Sequence, residues 1–84
     1  MKVIKRDGHT VNYDRSKIIT AIKKANAEVE DSEKVTDEKI EEIVAGIESK
    51  NRPRMLVEDI QDIIEQKLMD DRKFVLAKTY IIYR

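Results

Sequence analysis

The chain has no cysteine among its 84 residues. That excludes a disulfide framework, a thiolate metal site and a cysteine nucleophile. Glycine occurs twice and proline once, too rarely for a linker or a disordered repeat. There is one histidine, His9, and no adjacent serine makes it part of a nucleophilic device. No apolar run approaches the length that crosses a bilayer. The N-terminus lacks the apolar core of a signal peptide, so a cytoplasmic protein, or the cytoplasmic start of one, is expected. Neither sign of charge dominates: 17 Lys and Arg balance 17 Asp and Glu. A neutral sum gives no global pull toward nucleic acid.

What is present fits one domain over residues 1–84. Hydrophobic and charged residues each make up 40% of the chain, and a chain this short buries roughly 60–65% of its extended surface. The charge is polarised although its sum is zero. Lys2, Lys5 and Arg6 lead, Lys17, Lys23 and Lys24 follow, and acids concentrate from Glu28 to Asp71.

Val3-Ile4 and Val11 to Tyr13 flank Asp7-Gly8, a two-residue hairpin signal. Pairing Arg6 with His9 sets Lys5 against Thr10, Ile4 against Val11 and Val3 against Asn12. Ile4, Val11 and Tyr13 then share the core face, and Lys5 lies on the other. Asp14 is placed to cap a helix running to about Ala27, with Ile18, Ile22, Ala25 and Val29 on its apolar stripe. Lys17 falls in its first turn, where a cation opposes the helix dipole unless an anion is bound. Thr36 caps a second helix to about Ser49. Lys50 to Arg54 breaks the pattern at Pro53. A third helix runs from about Val57 to Asp70. A fourth starts near Phe74 and buries Ala77, Tyr80 and Ile81, with Leu76 and Tyr83 extending the apolar area. The expected fold class is α+β: an N-terminal β-hairpin packed on a four-helix cluster.

Catalytic chemistry is poorly supplied. His9 sits beside a tight turn, where exposure is expected. The carboxylates read as solvated helix faces, and adjacent Asp70 and Asp71 are weak evidence for a divalent ion. Anion binding has more support: a folded hairpin-helix unit is expected to bring Lys5, Arg6 and Lys17 toward the free N–H groups of a helix start. The alternative is that these cations keep the surface soluble, with Arg6 paired to a surface acid. Lys50, Arg52 and Arg54 leave a nucleic-acid-binding module open, against a plain solvated loop. Ile81, Ile82 and Tyr83 are either a partner-facing patch or core. The apolar finish implies a chain cut from something longer.

One resemblance spans nearly the whole chain. Val3-Ile4-Lys5-Arg6-Asp7-Gly8, Val11-Asn12-Tyr13-Asp14, Lys17-Ile18 and Ala21-Ile22 come first. Val57-Glu58-Asp59-Ile60-Gln61, Glu65 and Leu68-Met69 follow, and Ala77-Lys78, Tyr80 and Tyr83-Arg84 close the set. This ordered set resembles an ATP-cone domain, most like the N-terminal cone of an anaerobic, glycyl-radical ribonucleotide reductase. The resemblance implies an allosteric sensor of ATP and dATP that is not itself catalytic. It implies Mg²⁺ carried by the phosphates. It also implies contact with the reductase's catalytic body, and with other cones on oligomerisation. By the same resemblance Lys5 and Lys17 meet phosphates and backbone from Val3 through Ile4 to Arg6 lines the site. Asp14 lies at its edge, and Val57 and Gln61 close it near base and sugar. Some family members carry threonine at the Val57 position, histidine at the Gln61 position and glutamate at the Val11 position, so polar contacts there differ. Neither a membrane nor nucleic acid is an expected partner.

Overall fold

Side-chain caps start two of the four helices. A computed structural model describes residues 1–84 as β1 (Lys2–Ile4), β2 (Thr10–Asn12), α1 (Arg15–Ala27), α2 (Asp37–Glu48), β3 (Arg54–Leu56), α3 (Val57–Asp70) and α4 (Phe74–Tyr83), with a 3₁₀ turn at Asp31–Glu33. The Asp14 carboxylate accepts the Ser16 N–H at 3.0 Å and caps α1. Thr36 Oγ1 accepts the Lys39 N–H at 3.1 Å and caps α2. No side chain caps α3, which leaves β3 directly with Glu58 and Asp59 in its first turn, where their charge complements the dipole.

α3 ends in a Schellman motif. Lys73 N–H reaches the Leu68 carbonyl and Arg72 N–H the Met69 carbonyl, both at 2.9 Å. Arg72 holds the left-handed position at φ 60°, where glycine is the usual residue. Arg72→Gly is expected to raise stability by about 0.5–1 kcal/mol, the relieved strain less the freedom added to the unfolded chain. A thermal melt checks this, and a lower Tm contradicts it.

The hairpin register differs from the sequence expectation. Lys2 pairs with Asn12, Val3 with Val11 and Ile4 with Thr10. The loop holds three residues rather than two: Lys5 N–H donates to the His9 carbonyl at 2.8 Å, and Gly8 N–H to the Lys5 carbonyl at 2.9 Å. Gly8, at φ 91°, absorbs the extra residue. The Asp7 carboxylate accepts the His9 N–H at 3.1 Å and steadies the turn. A slip of one residue turns side chains to the opposite face. Val3, not Ile4, is therefore buried, beside Val11. Lys5 shares their face of the sheet instead of lying opposite Val11.

Over Lys50 to Arg54 the helical pattern breaks, as the sequence predicts, but the segment is more than a loop. The chain turns at Asn51, in the left-handed region at φ 51°, and then adds a third strand. β3 runs parallel to β1, in the order β2-β1-β3, and pairs Val3 with Met55. Three residues with one buried side chain, Met55, carry no periodicity to read.

The helices cover the Val3 and Met55 face. Ile22 and Ala25 enter the core from α1, and Ile40, Ile43 and Ile47 from α2. Ile60, Ile64 and Leu68 come from α3, and Leu76, Ala77 and Tyr80 from α4. Ile81 does not join them: it is exposed, as are Phe74, Val75, Ile82 and Tyr83. The buried stripe of α4 runs through 76, 77 and 80, which turns 81 and 82 outward. Asn26 ties down the chain after α1 by accepting the Val35 N–H and donating to its carbonyl, at 2.9 and 3.0 Å. No helix is long and apolar enough to cross a membrane.

Candidate functional site

The sheet ends where β1 runs into the hairpin loop, and α3 begins beside it. A depression of roughly 390 Å³ opens there, lined by Lys5, Arg6, Asp7, His9, Val57, Gln61 and Arg84. That volume lies within the usual range for small-molecule sites. Four of the seven are basic residues, and Asp7 is the one acid. Asp7 is already engaged: the His9 backbone N–H, then the His9 ring, hold its carboxyl below the usual range. Arg6 makes an ion pair with Glu58 at 3.5 Å, with both side chains mostly exposed. Such a pair contributes about 0–1 kcal/mol, so it yields readily to a ligand of higher charge. Ile4, on the outer face, lines a smaller recess of roughly 100 Å³ with Lys5, Arg6, Leu56, Val57 and Glu58.

Of the residues singled out from sequence, the fold brings Lys5, Arg6, Val57 and Gln61 around this one depression. Val3 lies in the central strand with its side chain in the core. Lys17 lines a second depression of roughly 330 Å³, with Ser16, Thr20, Ala21, Lys24 and Tyr83. The two depressions meet consecutive residues of the chain, Arg84 in the first and Tyr83 in the second. Asp14 lines neither. Its carboxylate also takes the Ser16 hydroxyl at 2.6 Å, and that bond holds it below its ordinary pKa.

Two clusters were not legible in the sequence. The first anchors the start of α1. Arg15 grips Glu41 with two bonds of 2.9 and 3.1 Å and donates to Glu48 through Nε at 3.0 Å. Tyr13 donates to the same Glu48 oxygen at 2.8 Å. Arg15 chiefly, and Tyr13, hold the Glu48 carboxyl low, while burial and then Glu48 push the Tyr13 hydroxyl up. This clamp fastens the turn that carries Lys17 to α2.

The second cluster stands at the larger of these two depressions, where Gln61 and Arg84 line it and Glu65 backs Arg84. Arg84 Nη1 donates to Gln61 Oε1 at 2.8 Å, and Arg84 Nε lies 2.6 Å from Glu65 Oε2. Glu65 is the one buried charged residue. The close approach to Arg84 lacks hydrogen-bond alignment, so Glu65 Oε2 is compensated in charge without a directed donor. Tyr80 packs nearby, its hydroxyl pushed up to about 12 by burial and then by Glu65.

A family model for the ATP cone domain matches residues 1–84. The chain belongs to the ATP-cone family. A vitamin B12-dependent ribonucleoside-diphosphate reductase of Thermoplasma acidophilum is 40% identical over 93 residues, covering 99% of this cone and 11% of the reductase. A ribonucleoside-diphosphate reductase subunit alpha of Chlamydia muridarum is 38% identical over 95 residues, covering 100% of the cone and 9% of that subunit. An anaerobic ribonucleoside-triphosphate reductase of Haemophilus influenzae is 37% identical over 83 residues, covering 98% of the cone and 12% of the reductase. The cone thus spans about a tenth of the length of these relatives. It corresponds to a small part of much larger reductase chains. The anaerobic reductase anticipated from the motif set is among these relatives, beside two of other kinds.

Proposed function

We propose that this cone is an allosteric sensor that binds ATP or dATP and regulates a ribonucleotide reductase, without turning the nucleotide over. The observation that carries this reading is the gathering of Lys5, Arg6, His9 and Arg84 around one depression beside Val57 and Gln61. A polyphosphate lying across the C-terminal turn of α4 meets Lys5 on one side and Lys17 on the other. Base and sugar rest against Val57 and Gln61 at the start of α3. Asp14 acts at one remove, holding the helix start that presents Lys17.

Mg²⁺ arrives with the nucleotide. The chain has no group of three or more His, Asp or Glu poised for a metal, and the depression is mainly cationic. A cation held by phosphate oxygens and water fits that donor set. The residues themselves neutralise and orient the phosphates.

ATP and dATP differ by one hydroxyl, and one hydrogen bond discriminates by roughly 0.5–1.5 kcal/mol. Regulation then needs two states with different affinities for the ligands. The catalytic body of the parent reductase, or a second cone, is the partner that reads those states. The exposed Phe74, Val75, Ile81 and Ile82 on α4 offer it an apolar face. The setting is the cytoplasm.

The test is calorimetric titration of the folded 84-residue chain with ATP and with dATP, each with Mg²⁺. Saturable micromolar binding is expected for both, and the stoichiometry counts the nucleotides per cone. No heat with either ligand overturns the reading.

A further inference from the structure

The acid beneath the larger depression bears on how a ligand is held there. Glu65 is buried on α3, one turn beyond Gln61. Arg84, at the end of α4, bridges the two, with Nε against Glu65 and Nη1 on Gln61. Its side chain is only 21% exposed, yet it lines the same depression as Lys5, Arg6 and His9. Nη2 carries no hydrogen bond to the protein, and Nε meets Glu65 without good alignment. The guanidinium is therefore at the rim of an anion site, incompletely used and partly neutralised from behind.

We propose that Arg84 is a phosphate ligand held in reserve by Glu65, exchanging the buried carboxylate for a phosphate oxygen when a polyphosphate enters. This rests on the nucleotide-sensing reading and assigns that site a further binding residue. Guanidinium and phosphate match in fork geometry, and the incoming group carries more charge than one carboxylate. Glu65 competes with the ligand for the same donors, so it lowers affinity rather than raising it. Because the coupling is reciprocal, ligand binding loosens the tie between the last turn of α4 and α3. The same turn carries the exposed Ile81 and Ile82. Occupancy of the depression is thereby transmitted to the surface that a partner meets.

The sign of one substitution separates this arrangement from a merely structural ion pair. Glu65→Gln keeps the shape and frees Arg84, and is expected to tighten ATP binding roughly 3- to 10-fold while lowering the Tm of the unliganded chain. Arg84→Gln is expected to weaken ATP roughly 10-fold or more. In the double variant the gain from Glu65→Gln disappears, because it acts through Arg84. A gain that persists without Arg84 reveals a simple field effect and overturns the proposal. So does an unchanged or weaker affinity in folded Glu65→Gln.

Inorganic tripolyphosphate is titrated beside ATP through the same cycle. ATP binding with a flat cycle rejects the role of Arg84 and leaves the sensor intact. An intact cycle in which ATP binds no better than tripolyphosphate rejects nucleotide sensing and leaves Arg84 as a phosphate ligand. Binding of neither probe rejects both.

Discussion

Ile64→Ala is expected to cost the domain about 3–4 kcal/mol. Ile64 is fully buried in the middle of α3 and belongs to the core that unites all four helices with the sheet. Removing its outer carbons forfeits their transfer free energy and leaves a cavity that close-packed neighbours fill only in part. A chain of 84 residues has a total stability of roughly 4–13 kcal/mol. The loss is therefore a large share of the whole. Urea melts of the variant should show a much lower midpoint at an unchanged slope. Ile64→Val serves as a graded control and costs about 1 kcal/mol. A loss under 1 kcal/mol for the alanine variant contradicts the packing described. The functional consequence is indirect. Gln61 shares α3 with Ile64, so a loosened helix also loosens one wall of the proposed nucleotide site.

Lys5→Ala and Lys17→Ala are each expected to weaken ATP roughly 10- to 100-fold, the worth of one charge-assisted contact to phosphate. Both lysines are exposed and neither makes an ion pair, so their removal should leave the melting temperature nearly unchanged. The two residues line different depressions, which makes the combination informative. One polyphosphate spanning both predicts that each single variant loses affinity and that the double variant loses more than either. A loss with Lys5→Ala alone restricts the ligand to the depression beside Gln61. Unchanged affinity in the double variant removes the phosphate-site model altogether. The dependence on salt should weaken in step, because fewer cations then meet the anion.

Much of this architecture was readable before the fold. Asp14 and Thr36 announce α1 and α2 because a cap acts on N–H groups two or three residues away. Val57 to Asp70 was legible as α3 because Ile60, Ile64 and Leu68 recur at the helical step. Asp7-Gly8 suits a three-residue loop as well as a two-residue turn, and that one residue of turn length shifts the hairpin register from the one expected. β3 escaped because three residues are too few to display a period, and because its pairing with β1 joins segments some fifty positions apart.

The candidate site divides along the same line. By itself the sequence determined the four helices, the cap that sets Lys17 in a first turn, and the motif set shared with the ATP-cone family. Each of these rests on neighbours within a few residues or on the order of residues along the chain. Only the tertiary structure decided that Lys5 and His9 share the core-side face. That direction follows from one residue of turn length, which local propensity does not resolve. Only the tertiary structure brought Arg84 to Gln61 and Glu65, across 23 positions to Gln61, and Tyr13 to Glu48 across 35. Contacts of that span exist because helix packing has already fixed where α3 and α4, or α1 and α2, lie side by side.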